Sequence, residues 1–410
     1  MTQATTEKKS AKELNRILTE EYLDGARRAH DEGKHIAYAT AVSPVELLVA
    51  HDVIPIYPEN HAVACLTKRM GTALSQAMEH RGYTSHLCAY ARCDLGFRIT
   101  GESPTGGIPD PDFNLACNAQ CFTLTKWFEV LSRQYHVPTF VFDTPQLIPD
   151  PTAQKEIVKY CIQQLKELIA ALEELTGKKY DYDRLREVVA YSRDASLLYR
   201  KFLDMAAYKP SPISIFDALI HMAITVYLRG TPQCVQYYQT LCDEIQAKAD
   251  KGIGVVENEQ FRLYWENLPV WFKFRDHFNL LKSYGANILT SLYVHAWSYE
   301  FDTSKDPLET LAENYVSVFS NVTLERRAEM ALDLFQRYAL NGSLMFVNRS
   351  CKAVSFAVYT LKDIITEKTG YPALIFESDM GDPRFYSETQ IRTRIEAYLE
   401  TLQQRTAQAA

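Results

Sequence analysis

Cys117 and Cys121 lie one helical turn apart in PDFNLACNAQCFTLTKWFE (Pro111–Glu129), where a buried-looking strand gives way to an aromatic-rich helix. Thiols at i and i+4 can pack, supply half of a disulfide, or ligate a metal. Cys351 opens the helix after SLMFVN, and Cys88 in TSHLCAYARCDLGF precedes a helix or loop. A helix N-terminus offers unpaired amides and the positive end of the helix dipole, which stabilise a thiolate or an anionic cluster. Two such placements, in separate regions of the chain, point to metal more strongly than either alone. Packing stays open as a reading, because cysteine is among the most buried residue types. The dense C-x2-C runs of ferredoxins and zinc ribbons are absent. Cys65, Cys161, Cys234 and Cys242 fall in helical patterns and read as core, while Cys93 and Cys117 can neighbour a site without being ligands.

Composition narrows what these thiols serve. The 410 residues suffice for two or three domains, and 47% apolar with 23% charged residues is ordinary for a globular protein. A net charge of −7 and a pI near 5.9 lack the basic footprint of nucleic-acid binding. The start, MTQATTEKKSAKELNRIL, has no apolar core of a secretory signal. The most apolar stretch, SIFDALIHMAITVYLRG, contains Asp217 and His221 and is too short to span a bilayer. The expectation is a cytoplasmic protein without membrane contact, in which nine cysteines stay reduced.

The elements that must position the thiols alternate. HIAYATAV and VIPIYPEN read as strands around a helix at SPVELLVAH, with Ser43, Pro44 and Glu46 expected to form a capping box. DFNLAC and TFVFDT are further buried strands. From Thr152 to Leu175, apolar residues recur at three- and four-residue spacing and Gly177 follows, so residues 151–251 read as a helical module. The last third returns to strands at ANILTSLYV, GSLMFVN and PALIFES, with one helix over CKAVSFAVYTLKDIITEKTG and another capped by Ser387. The expected fold is α/β: two Rossmann-like lobes with mostly parallel sheets, residues 1–150 and 252–410, joined by the helical module. A cleft between the lobes is the natural ligand site.

The chain resembles, over nearly its full length, the larger (alpha) subunit of 2-hydroxyacyl-CoA dehydratases, which is related to benzoyl-CoA reductase subunits. The resemblance rests on YPENHA (57–62), CAYAR (88–92), PDF with CNAQC and KWFE (111–129), KPSP (209–212), HAW (295–297), NRSCK (348–352) and DPRFYS (382–387), in this order. It implies a [4Fe–4S] cluster in the cleft, held by Cys88, Cys121 and Cys351, with one iron lacking a cysteine ligand. It also implies a heterodimer with a smaller homologous beta subunit, an acyl-CoA substrate, and an ATP-hydrolysing iron–sulfur activator as electron donor. The chemistry such a site supplies is one electron delivered to the thioester. The resulting ketyl radical expels the α-hydroxyl and makes the β-proton acidic enough for an ordinary base.

By the same resemblance Glu59 handles a proton or binds the substrate hydroxyl; a helix-capping carboxylate is the alternative. His295 lines the cleft or is a satisfied core histidine. Asn348 and Arg349 hydrogen-bond cluster sulfides or a CoA phosphate, or support the loop. Asp379, Asp382 and Arg384 fix a loop by ion pairing. One departure stands out: Ala41 occupies a position where dehydratase alpha chains often carry serine, leaving Thr40 or Ser43 to supply a hydroxyl. A reductase of the benzoyl-CoA type and a noncatalytic electron-relay or scaffold subunit are the alternative functions.

Overall fold

The computed structural model describes residues 9–409; residues 1–8 of the N-terminal segment discussed above lie outside them. Within the described residues, eight strands form two four-stranded sheets in which every pairing is parallel. The first contains β1 (Ile36–Ala39), β2 (Ile54–Ile56), β3 (Phe113–Cys117) and β4 (Thr139–Phe142), in the order β2-β1-β3-β4. The second contains β5 (Phe261–Glu266), β6 (Ala286–Thr290), β7 (Gly342–Asn348) and β8 (Ala373–Ser378), in the order β6-β5-β7-β8. These are two Rossmann-like lobes of the same strand order. In each, the chain steps to one side of its first strand and then crosses to the other. That reversal opens a crevice beyond the carboxyl ends of the two central strands.

The central strands are buried along their whole length save for Val347 in β7, as parallel strands covered on both faces must be. β5, FRLYWE, escapes the sequence reading because Arg262 and Glu266 interrupt its apolar run. Both charges are buried but paired. The Arg262 guanidinium donates to the carbonyls of Tyr338 and Ala206 at 2.9 and 2.6 Å, and Glu266 accepts from Arg327 and Tyr264.

Between the sheets run four long helices, Pro151–Thr176, Tyr182–Asp204, Ile215–Tyr227 and Pro232–Ala249. Gly177 ends the first in a left-handed conformation (φ 68°), as its place in the sequence predicts. Two local expectations fail. The capping box at Ser43 does not form: the helix starts at Glu46, and its N-cap, Val45, makes no side-chain bond. Glu46 is drawn into the core, where it accepts from Arg229 Nε (3.0 Å), Ser192 Oγ (3.0 Å) and Tyr315 Oη (2.7 Å). A buried guanidinium needs its carboxylate more than a helix end needs a cap. The helix after Cys351 also breaks, into Lys352–Ser355 and Val358–Thr369. There Ser355 Oγ bonds back to the Asn348 carbonyl at 2.9 Å, an alternative partner that competes with helix continuation.

The lobes meet along a close seam. Gly71 of the first approaches Gly381 of the second so tightly that a Cβ on Gly71 would collide with the Gly381 carbonyl oxygen. Beside it Arg92, with a fully buried side chain, donates to Asp382 at 3.0 Å and to Glu79 at 3.3 Å and faces Asp379 at 3.6 Å. Arg384 adds paired bonds to Glu79 and Asp382. The ion pairing expected to fix one loop therefore also joins the lobes. Burial opposes a charged Asp382, but Arg384 and Arg92 outweigh it and hold the carboxyl below its ordinary range. No helix among the described residues is long and apolar enough to cross a membrane.

Replacing Arg92 with Met leaves Asp379 without the cation it faces inside the seam and takes from Asp382 and Glu79 one of their two, Arg384 being the other. Losing one partner of a buried pair costs about 3–5 kcal/mol, so R92M should lower the urea midpoint markedly, whereas R16M in the exposed Arg16–Glu20 pair should change it little. Because the lowered Asp382 value stabilises the fold above the ordinary carboxylate pKa and is lost on acidification, the R92M deficit should shrink below about pH 4. Equal midpoints for R92M and the parent at pH 7 would remove the seam from the stability argument.

Candidate active site

Cys88, Cys121 and Cys351 are each the N-cap of a helix, at Ala89–Thr100, Phe122–Tyr135 and Lys352–Ser355. Two of these helices follow β3 and β7, the corresponding strands of the two sheets. The three thiols line one cavity of about 210 Å³ between the lobes. Its walls come from the crevices of both sheets: Val42 beyond β1, Gln120 and Cys121 beyond β3, Leu268 beyond β5, and Ser350 and Cys351 beyond β7.

First-turn amides face the sulfurs. Thr123 N donates to Cys121 Sγ at 3.3 Å, whereas Cys88 and Cys351 accept no capping hydrogen bond and feel the nearby Ala91 and Val354 amides only as a partial offset to burial. Burial still dominates. It raises the Cys88 thiol far above its usual value and pushes Cys351 up to about 11, and the thiols' proximity to each other adds to both shifts. A cationic group bound among them would reverse that preference. Among the described residues no compact set of three His, Cys, Asp or Glu side chains suits a single metal ion. The three thiols instead line the walls of one shared cavity, so a group held by all of them would have to bridge that space. Cys117 is fully buried behind the site, and Cys65, Cys93, Cys161, Cys234 and Cys242 are buried in helices.

Glu59 enters the same cavity from the first turn of the Pro58–Thr67 helix. Its Oε2 accepts from the Ala41 amide at 2.6 Å and its Oε1 from Gln120 Nε2 at 3.3 Å. Desolvation outweighs both bonds and pushes the carboxyl up to about 7. Ala41, although it lacks a hydroxyl, is fully used: its amide holds Glu59 and its carbonyl accepts from Trp297 Nε1 at 3.1 Å. Val42 N donates to Gln120 Oε1 at 3.1 Å and so orients the amide that touches Glu59.

Other residues singled out in the sequence lie elsewhere. The Thr40 hydroxyl is buried, shared with Ser43 Oγ at 2.6 Å and accepting from Cys117 N at 3.0 Å, and it does not line the thiol cavity. His295 lines an adjoining cleft of about 460 Å³ that contains no cysteine. Its Nε2 lies 3.0 Å from Thr290 Oγ1, and burial, then Arg337 and Arg200, lowers its pKa to about 3. Asn348 Oδ1 accepts from the Ser350 and Met380 amides, each at 3.3 Å, and shapes the loop that carries Cys351. The Arg349 guanidinium stacks over Phe385 at 4.1 Å. Neither lines the thiol cavity.

Gln120, Tyr90 and Trp297 do line it, and sequence reasoning passes over them although each belongs to a motif quoted above: CNAQC, CAYAR and HAW. In HAW the titratable residue draws attention, but the indole reaches the site.

A cavity ringed by three helix-opening cysteines and a buried glutamate sits in a chain with clear relatives among known proteins. The chain is 32% identical over 403 residues to the (R)-2-hydroxyisocaproyl-CoA dehydratase alpha subunit of Clostridioides difficile, covering 98% of each. It is 31% identical to the (R)-phenyllactyl-CoA dehydratase alpha subunit of Clostridium sporogenes, covering 96% of each. A benzoyl-CoA reductase subunit of Thauera aromatica is 29% identical, over 89% of this chain and 88% of its own. The family model described as 2-hydroxyglutaryl-CoA dehydratase, D-component, matches residues 40–402, a span holding all three thiols and Glu59, and the chain belongs to that family.

Proposed function

We propose that this chain is the cluster-bearing subunit of an ATP-activator-dependent (R)-2-hydroxyacyl-CoA dehydratase, which removes water to give an enoyl-CoA. The observation that carries this reading is the meeting of Glu59 with Cys88, Cys121 and Cys351 on one cavity. A [4Fe–4S] cluster held by the three cysteines would supply a low-potential electron to the thioester and an iron able to act as Lewis acid. The protein's own contribution is proton handling in a dry site. With a pKa near 7, Glu59 exchanges a proton with substrate at neutral pH, taking it from Cβ or giving it to the leaving hydroxyl. The Ala41 amide and Gln120 hold the carboxyl at the cavity wall. Trp297, Leu124, Trp127 and Phe319 keep bulk water from it.

A benzoyl-CoA-type reductase is the second reading, favoured by the Thauera relative and by the missing hydroxyl at Ala41. Product analysis separates the two, since dehydration releases water and leaves the substrate's oxidation state unchanged. A noncatalytic scaffold has no use for a buried carboxyl poised near neutrality.

The named relatives are subunits, and the surface here suits a partner. Phe122, Phe356 and Tyr359, close in sequence to Cys121 and Cys351, are 66%, 92% and 60% exposed. A smaller homologous beta subunit would cover this apolar rim, and the iron–sulfur activator would dock on the resulting complex.

Anaerobically purified protein should contain about four irons per chain. Serine at position 88, 121 or 351 should strip or destabilise that iron, whereas serine at 161 or 234 should leave it; full retention in the first three variants rejects the ligand set. Replacing Phe356 with Asp should weaken co-purification with the beta subunit at least about tenfold while the chain still folds. Unchanged assembly would move the interface elsewhere.

Glu59→Gln should keep iron and acyl-CoA binding but lose about 10²–10⁴ in turnover. Its stability makes a separate test. The raised pKa means the folded state holds a proton that the unfolded chain releases, so parent stability should fall by about 3 kcal/mol as pH rises from about 4.5 to 7. E59Q should lack that slope. Near-normal turnover, or an unchanged pH slope, would retire Glu59 from this role.

A further inference from the structure

A second cavity, of about 190 Å³, lies directly behind Glu59. It shares Glu59, Tyr90, Gln120, Leu268, Tyr293 and Trp297 with the thiol cavity, so the two meet along one wall. Its far side is built from two helices. Leu219, Met222, Ala223 and Val226 fall at i, i+3, i+4 and i+7 of the Ile215–Tyr227 helix, one apolar stripe. Val63 lies one turn beyond Glu59 on the Pro58–Thr67 helix, with Ala64 next to it. Trp271 closes the remaining side, its indole N–H donating to the Tyr90 hydroxyl at 2.6 Å.

No Lys, Arg or His lines this space, and its one charged side chain is Glu59 itself. An apolar cavity of about 150 Å³ suffices to hold benzene, so this one has room for a branched alkyl or aryl group. Its place relative to Glu59 gives it a role. If the thioester carbonyl lies toward the thiols and Glu59 serves the β-carbon, substituents beyond Cβ continue past the carboxyl into this pocket. We infer that the pocket selects the acyl side chain: it takes a branched aliphatic or aromatic 2-hydroxyacyl-CoA and excludes one ending in a second carboxylate. A terminal carboxylate there would face Glu59 and meet no cation; Asn60 and Tyr227 offer it only neutral hydrogen-bonding groups, too little to offset a desolvated charge. This inference rests on the dehydratase reading for the identity of the thioester, but the pocket's preference is measurable without turnover.

The test uses acyl-CoA thioesters without the 2-hydroxyl, which bind but offer no hydroxyl to eliminate. Calorimetric titration of the full-length chain would compare 4-methylpentanoyl-CoA, propionyl-CoA and glutaryl-CoA. The first should bind at least about tenfold more tightly than either other, the order of discrimination a few buried methylenes give. Ala223→Phe, which fills the pocket from the stripe, should erase that advantage and leave propionyl-CoA affinity unchanged. Val63→Phe, from the opposite wall, should do the same and serves if A223F does not fold. Glutaryl-CoA binding as tightly as 4-methylpentanoyl-CoA, or a folded A223F protein with its preference intact, overturns the inference. Failure of the dehydratase reading looks different: the binding preference persists, but no 2-hydroxyacyl-CoA is consumed when activator, ATP and reductant are present.

Discussion

Everything at the thiol cavity depends on how the two lobes are held, and the buried Arg92 guanidinium lies at the centre of the ion pairs that cross between them. Its helix begins at Cys88, and its partners Asp379 and Asp382 sit in the loop after β8, on either side of Met380, which lines the cavity. A buried ion pair is seldom a net source of stability against an apolar alternative, but it is intolerant of geometry change. Sliding one lobe over the other would leave the Arg92 guanidinium and the Asp379 carboxylate without partners in the interior, while Asp382 would keep only Arg384 of its own loop. Apolar contacts at the seam are less directional and would resist that sliding less. Glu46 and Arg229 apply the same logic where the helical region meets the first lobe, and Tyr315 extends it toward the second.

Within that frame, the site follows from sheet topology. Both sheets reverse strand order beside their first strand, so both present a crevice at the carboxyl ends of two neighbouring strands. Setting the crevices face to face joins them into one partly enclosed space, in which Glu59 is buried and the three thiols are partly exposed. Enclosure explains Glu59: its two hydrogen bonds favour the carboxylate, yet desolvation prevails. It also explains why Cys88 and Cys351 resist ionisation despite their helix-start positions. Burial without an opposing charge favours the neutral form.

Much of this was legible in the sequence. Short buried-looking apolar runs located seven of the eight strands, three- and four-residue spacing located the long helices, and Gly177 ended its helix as expected. Cys121 and Cys351 were readable as helix-opening thiols because each directly follows a buried strand. What escaped depended on distant partners. β5 carries charges that look exposed until Arg327 and Glu259 arrive to pair them. Ser43 and Glu46 have capping-box spacing, but Arg229 lies more than 180 residues away in sequence and claims the glutamate. His295 drew attention as a titratable residue, whereas Trp297, two positions on, enters the cavity because its indole spans the lobes to the Ala41 carbonyl. Local pattern reports what a residue can do; long-range pairing decides which possibility is used.

The placement of the thiols along the chain has a consequence for biosynthesis. Cys88 and Cys121 belong to the first lobe, while Cys351 follows some 230 residues later. At about 5–20 residues per second, a ribosome takes roughly 10–50 s to cover that distance. Throughout that interval the nascent first lobe has two of the three thiols and no second lobe over them. A site assembled this way is completed only once the second lobe has been made. Until then the two first-lobe cysteines lie without the second lobe's cover, where premature oxidation to a disulfide would block their later use together with Cys351.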